Sequence, residues 1–187
     1  MKHYKLIFLL ISALLSGCVA VVVAGAAAGM VVYDKRSVSM LDNDARIFYQ
    51  INNRIAADPK FHNSHIVISS FNQVVLLAGQ APVESTRTYA EQIARATPKV
   101  VRVYNQITVQ DPISLAQRSK DTWITGQVRA QMLTKKGLES GSIRVITENS
   151  VVFLMGIATR EQSNLAVDVA RHVKGVTKVV KVFRYIA

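Results

Sequence analysis

An internal repeat constrains this chain more than any other feature of its sequence. Residues 44–110 align with residues 121–187 at an offset of 77, which falls to 76 after a one-residue insertion in the first copy. The matched positions run through both copies: Asp44 with Asp121, Ile47 with Ile124, Ile51 with Val128, Ile55 with Met132, Asn72 with Asn149, Gly79 with Gly156, Ala90 with Ala166 and Val103 with Val179. Because the match spans each unit from end to end, the sequence predicts two domains of about 67 residues, joined by residues 111–120.

Both copies contain the same order of secondary-structure signals. An apolar residue every fourth position predicts a first helix, and two alternating strands follow, joined by tight turns that we place at Phe71-Asn72 and Glu148-Asn149. The two strands, the second helix and a Val-rich closing strand are predicted at 64–70, 73–79, 84–97 and 100–109, and again at 141–147, 150–156, 160–173 and 176–186. The order αββαβ predicts an α+β fold in which two helices pack on a three-stranded mixed sheet. Since units this small are marginal alone, we expect mutual packing or a membrane surface to help stabilise them.

The N-terminal residues have the pattern of a lipoprotein export signal. Residues 1–17 begin with Lys2 and Lys5, continue in a short apolar core and end in small residues before Cys18. That core is about ten residues long, whereas a bilayer span needs roughly twenty. Because the single cysteine lies at the processing position, we predict that Cys18 is the lipid anchor rather than part of an ordinary secreted or membrane-anchored start. Residues 18–43 would then form an apolar tether and linker.

The first copy and several short strings carry a family resemblance. The closing strand has Val100, Val103, Asn105 and Ile107 in a Val-x-x-Val-x-Asn-x-Ile arrangement, after a helix, a hairpin ending in Gly and a second helix. The more specific strings are GCVA at 17–20, RSV at 36–38, VYNQI at 103–107, DTWIT at 121–125 and TENSVVFLMG at 147–156. In these features the chain resembles the BON domain family, and within it the outer-membrane lipoproteins that carry two BON domains.

This resemblance implies a lipid-anchored protein that faces the periplasm and supports the integrity of the outer membrane. Val19 follows the anchor in place of Asp, which agrees with sorting to the outer membrane in Gram-negative lipoproteins. In the family, the first helix of the second BON domain recognises anionic phospholipid, and the proteins are associated with the division site and the outer-membrane protein assembly machinery. The second copy departs from the pattern at Lys181, where the first has Asn105, and we attribute that change to turn or edge chemistry.

The first helix of the second copy, predicted over 121–134, has two apolar faces. One carries Ile124, Val128 and Met132 toward the sheet, and the other carries the chain's single Trp. Trp123 corresponds to Arg46 in the first copy, so we predict that it is exposed. The predicted phospholipid-binding face and its cationic border consist of Trp123, Gly126, Gln127, Arg129, Ala130, Leu133, Lys135 and Lys136. In the alternative, Trp123 packs against the first domain or the linker and only holds the two units together.

Charge supports an anionic membrane partner. Removal of residues 1–17 would take two of the 23 Lys and Arg, leaving 21 against 12 Asp and Glu, a net charge of +9. The excess is larger in residues 121–187, and an exported chain meets little nucleic acid, so we expect no nucleic-acid partner. Two other functions stay open. One is an adaptor that docks an envelope partner, such as the outer-membrane protein assembly complex, through Trp123 and Leu133; the other is a spacer that braces the envelope.

The residues predict no enzyme, cofactor, metal site or small-molecule substrate. His62 and His65 lie in a loop with the spacing of a ligand pair, but no third ligand is evident, and His172 ends a predicted helix. The sequence contains no Gly-rich phosphate loop, nucleophile elbow or paired-carboxylate arrangement. Gly79 and Gly156 recur at matching strand ends, and we expect that the backbone there requires glycine.

Overall fold

The computed structural model describes residues 36–186, which form two copies of one α+β domain. The first contains α1 (Val38–Ala57), β1 (His65–Phe71), β2 (Val74–Ala81), α2 (Glu84–Arg95) and β3 (Arg102–Val109), and the second contains α3 (Leu115–Thr134), β4 (Ile143–Glu148), β5 (Val151–Ala158), α4 (Arg160–His172) and β6 (Lys178–Tyr185). In each sheet the central strand pairs antiparallel with the first strand and parallel with the third. The predicted αββαβ order and mixed sheet are confirmed. The predicted signal and the Cys18 anchor lie outside the described residues.

Two helices cover one face of each sheet and form the two domain cores. The isoleucines and valines that recur every fourth position on α1 and α3 are buried, as their spacing predicts. The first core contains Ile47, Ile51, Val75, Leu77, Ala90, Ala94, Val103 and Ile107, and the second contains Ile124, Val128, Met132, Val152, Leu154, Ala166, Ala170 and Phe183. Matched residues of the repeat therefore occupy equivalent positions in the two cores.

Both first helices begin earlier than the apolar pattern predicts. The Ser37 Oγ accepts a hydrogen bond from the Met40 N–H at 3.2 Å, and the Ser114 Oγ accepts one from the Gln117 N–H at 3.2 Å. These N-caps satisfy N–H groups of the first turn, so the helices extend through 38–43 and 115–120. The side chains of those residues lack a buried periodicity, so the apolar pattern alone places them in the tether and the linker.

The hairpin turns lie one residue later than predicted. Asn72 and Gln73 in the first domain, and Asn149 and Ser150 in the second, have positive φ values between 50° and 63°. Phe71 instead ends its strand by pairing with Val74. Two consecutive residues with positive φ are the signature of a type I′ hairpin turn, which matches the twist of the flanking strands.

A third apolar cluster joins the two domains through the sheet faces that the helices leave open. Its buried members are Phe71, Leu76, Ala78, Phe153, Met155 and Val182. Strands β2 and β5 are therefore buried on both faces, and the prediction that they alternate was wrong. The domains also share polar contacts: the Gln80 Nε2 donates to the Glu148 Oε1 at 2.9 Å, and the Arg144 Nη1 donates to the Ser70 carbonyl at 2.9 Å. The expected mutual packing is thus an apolar interface with buried polar contacts.

Candidate membrane-binding face of helix α3

Helix α3 buries one face and leaves an apolar face toward solvent. Asp121, Ile124, Val128 and Met132 are buried, whereas the Trp123 side chain is 51% exposed and Leu133 is 41% exposed. Trp123 belongs to none of the three apolar clusters. Trp123 is therefore not part of the apolar cluster that joins the two domains.

The middle of this face is made of small residues. Gly126 and Ala130 are exposed, and a Cβ atom built on Gly126 would meet no atom within 4 Å. Gln127 lies half-buried beside them. A planar surface could therefore approach the helix backbone closely between the two large side chains.

The early start of α3 adds Leu115 to this face, a residue that the predicted helix 121–134 does not include. Leu115 is 77% exposed and stands at the first position of the helix. At 100° per residue it projects within about 20° of Leu133. In the sequence, Ser114 could have indicated this earlier start, because serine is a favourable N-cap residue. We define the outward face of α3 as Leu115, Trp123, Gly126, Ala130 and Leu133.

The first domain serves as an internal comparison for this face. The position of Trp123 is taken in α1 by Arg46, whose Nε donates to the Asp42 Oδ2 at 2.8 Å on the helix surface. The position of Gly126 is taken by Tyr49, and that of Ala130 by Asn53, both exposed. Exposed apolar residues also occur on α1, where Val38 is 83% and Tyr49 is 62% exposed, so the second domain is distinguished here by Trp123 and not by an apolar helix surface as such.

Two of the predicted border cations are held by contacts within the domain. The Arg129 Nη2 donates to the Val145 carbonyl of β4 at 3.2 Å. The Lys135 Nζ lies 3.4 Å from the Asp168 Oδ2, and together with Arg171 it holds the pKa of the Asp168 carboxyl below its usual value. Lys136 is exposed. Six of the eight predicted residues thus lie on α3, whereas Lys135 and Lys136 follow its last residue, and Arg129 and Lys135 each make a contact within the domain.

The histidines lie apart from this face. His65 begins β1 rather than lying in the loop before it, and its Nε2 lies 3.5 Å from the Glu148 Oε2 at the junction of the domains. The His172 Nδ1 is 2.7 Å from the Asp168 carbonyl oxygen. Among residues 36–186, no three His, Cys, Asp or Glu side chains are grouped as a metal site. Within the same part of the chain, no helix is long and apolar enough to cross a bilayer.

The fold and the repeat define a class of protein built from two tandem αββαβ domains that pack through their sheets. The sequence model of the BON domain matches residues 43–111 and 120–187. The chain therefore belongs to the BON domain family and carries two copies of that domain.

Three relatives extend the comparison over most of the chain. Outer membrane lipoprotein DolP of Haemophilus influenzae is 37% identical and covers 92% of this chain and 90% of its own length. The 21 kDa hemolysin of Actinobacillus pleuropneumoniae is 33% identical, with 82% and 79% covered. An uncharacterized protein of Anaplasma centrale is 31% identical, with 76% and 94% covered. The likeness to DolP over nearly the whole of both chains makes this protein an outer-membrane lipoprotein of the DolP type, as predicted.

Proposed function

We propose that this lipoprotein binds anionic phospholipid through the outward face of α3, and that this contact supports outer-membrane integrity. The proposal takes the protein to be non-catalytic, with Cys18 as its lipid anchor. The observation that carries it is Trp123, a half-exposed Trp on the second domain at a position where the first domain has an ion-paired Arg46. An indole exposed beside aliphatic side chains favours the headgroup region of a bilayer, where its ring is buried and its N–H stays hydrated.

The length of the outward face fits a helix that lies in the plane of the interface. Leu115 and Leu133 are separated by 18 residues, which corresponds to about 27 Å along a helix. Trp123 lies between them, so the apolar contacts are spread along the axis rather than gathered at one end. This arrangement is typical of interfacial helices, which bury one face in the boundary between headgroups and acyl chains.

Charge and tethering favour an anionic membrane over other apolar partners. Residues 121–187 contain ten Lys and Arg against five Asp and Glu, and two of those acids, Asp121 and Glu148, are buried. A lysine or arginine near an anionic bilayer contributes about 1 kcal/mol of attraction. An anchor at Cys18 would raise the effective concentration of α3 at the membrane, so a weak contact suffices to bias where the protein dwells, for example at the division site.

Vesicle binding by residues 34–187 tests the proposal. Every buried residue of the three apolar clusters lies within 47–183, so this fragment retains the folded unit. Wild-type protein should co-sediment with vesicles that contain phosphatidylglycerol and much less with phosphatidylcholine alone. Trp123→Glu should abolish that binding while the circular dichroism spectrum stays unchanged, and Tyr49→Glu, which places the same charge on an exposed aromatic position of α1, should bind like wild type.

The two other outcomes of this experiment are informative. Unchanged vesicle binding by Trp123→Glu would remove α3 as the lipid site. Failure of the wild-type protein to bind any vesicle would favour an adaptor, in which Trp123 and Leu133 contact an envelope protein such as the outer-membrane protein assembly complex.

A further inference from the structure

The corner where α3 meets the turn after α4 carries lysines that no described side chain neutralises. A Cβ atom built on Gly175 would lie 3.4 Å from the Lys120 Cε, so the Lys120 side chain extends along the surface of this turn. Lys174 is the preceding residue of the same turn and is exposed. Within residues 36–186, neither lysine has a carboxylate within 4.0 Å. We call this pair the lysine corner.

In the first domain the lysine at the same corner is hydrogen-bonded within the domain. There the turn residue is Lys99, with φ of 69°, and its Nζ donates to the Asn43 Oδ1 of α1 at 2.6 Å. In the second domain the lysine is on the helix instead of the turn. Lys120 stands on the helix in place of Asn43, and Gly175 stands in the turn in place of Lys99. The exchange removes the amide partner, and among residues 36–186 no side chain accepts a hydrogen bond from the Lys120 ammonium group.

The lysine corner borders the outward face of α3 on the side toward α4. Lys120 lies one turn before Ile124 and projects about 60° from Trp123 around the helix. Arg129 projects about 120° from Trp123 on the opposite side, toward β4, where it binds the Val145 carbonyl. Lys135 also projects toward α4, but it is paired with Asp168. Of these three cations, Lys120 is the one with neither a carboxylate nor a hydrogen-bond acceptor among residues 36–186.

From these contacts we propose that Lys120 and Lys174 bind the phosphates of anionic headgroups and give the Trp123 face its preference for anionic lipid. This inference rests on the proposed function and adds the residues that determine its specificity. The apolar outward face enters the interface, and the two ammonium groups remain at its edge, at headgroup depth. Flexible lysine stems suit this role because they can extend to the charged layer while Trp123 is inserted.

The test compares lysine-to-glutamine variants of residues 34–187 in vesicle titrations at low ionic strength. Lys120→Gln and Lys174→Gln should each weaken binding to mixed phosphatidylcholine and phosphatidylglycerol vesicles about fivefold, and the double variant about thirtyfold. Binding of the double variant should lose most of its dependence on salt, since few charge contacts remain. Lys99→Gln is the matched control from the first domain and should bind like wild type.

The outcomes separate this inference from the function on which it rests. Wild-type binding that is lost in Trp123→Glu but kept in the Lys120→Gln and Lys174→Gln double variant would overturn the lysine corner and leave the α3 site intact. A loss in Lys99→Gln of the size expected for Lys120→Gln would also overturn it, because the effect would then follow total charge and not position. Wild-type protein that binds no anionic vesicle would overturn both proposals together.

Discussion

The Asp121 carboxylate lies at the centre of the second domain's hairpin turn, where its Oδ2 accepts a hydrogen bond from the Asn149 N–H at 2.7 Å. Its Oδ1 accepts from the Ser150 N–H at 2.8 Å. Asp44 makes the equivalent contacts in the first domain, to the Asn72 and Gln73 N–H groups. One aspartate per domain thus fixes the hairpin to the first helix by satisfying the two N–H groups of the type I′ turn.

Replacement of Asp121 should therefore destabilise the protein. Asp121→Ala leaves two turn N–H groups without their charged acceptor, and hydrogen bonds to charged groups contribute roughly 1.5–3 kcal/mol each. We expect the free energy of unfolding to fall by about 3 kcal/mol, as measured by urea denaturation. Asp42→Ala is the control, because Asp42 forms a solvent-exposed pair with Arg46, and such pairs contribute little to stability. Equal losses in the two variants would contradict the role assigned to Asp121.

The sequence predicted the position of these aspartates but not their role. Asp44 and Asp121 appear as matched residues in the repeat, yet they are polar residues on the buried faces of helices, and nothing local indicates an acceptor role. Their partners lie 28 and 29 residues later in the chain, and only the pairing of the strands brings them together. The placement of the turn at Phe71-Asn72 was off by one residue for a similar reason, since the strand pairing decides which residues have positive φ.

Strand glycines provide a second prediction, because their surroundings differ sharply from those of the helix glycine. A Cβ atom on Gly156 would lie 2.2 Å from the Ser142 carbonyl oxygen, whereas one on Gly126 would meet nothing within 4 Å. Gly156→Ala should lower the free energy of unfolding by roughly 2–3 kcal/mol, because the backbone at Ser142, directly before β4, would have to shift. Gly126→Ala should raise it by about 1 kcal/mol, because alanine favours the helix. Thermal denaturation of the two variants measures both changes in stability. If both variants shift in the same direction, the close contact at Gly156 does not determine the effect of the substitution.

The interface between the sheets buries strand faces that the predicted alternation placed in solvent. The runs VVLLA in β2 and VVFLM in β5 are continuously apolar, which is typical of strands buried on both faces. The expectation of alternating strands assumed a solvated second face. The exposure of Trp123 was predicted because the repeat supplied a polar counterpart, Arg46. The interface offers no such internal comparison, since both copies contribute to it.

Disruption of the sheet interface should separate the unfolding of the two domains. Met155 is 1% exposed and belongs to the third cluster, so Met155→Asp places a carboxylate in an apolar contact without a partner. We expect the wild-type protein to unfold in one calorimetric transition and the variant to show two, with the lower midpoint several degrees below that of wild type. Val101→Asp, at an exposed position, is the control and should leave one transition. A single unshifted transition in Met155→Asp would indicate that the domains do not depend on this contact.

Glu91 provides a prediction for the dependence of stability on pH. The Asn105 Nδ2 donates to the Glu91 Oε2 at 3.1 Å, and this bond, with a further one from Arg95, holds the pKa of Glu91 below its usual value. Because the folded-state pKa is lowered, the stabilisation is present above the ordinary glutamate pKa of about 4.3 and is lost as the pH falls through the folded value. Asn105→Ala should raise the pKa of Glu91 in a carboxyl NMR titration.

The same variant should also change the acid limb of the stability curve. Above about pH 5 the Asn105→Ala protein should be less stable than wild type, and part of that difference should disappear on acidification, as Glu91 becomes protonated in both proteins. The remaining difference comes from the bond of the Asn105 Nδ2 to the Arg87 carbonyl at 3.1 Å, which does not titrate. Asn53→Ala removes an exposed amide of α1 and should leave the Glu91 titration unchanged. If the pKa of Glu91 does not change in Asn105→Ala, the hydrogen bond from Arg95 is what lowers it. Arg95→Ala would then raise the pKa of Glu91.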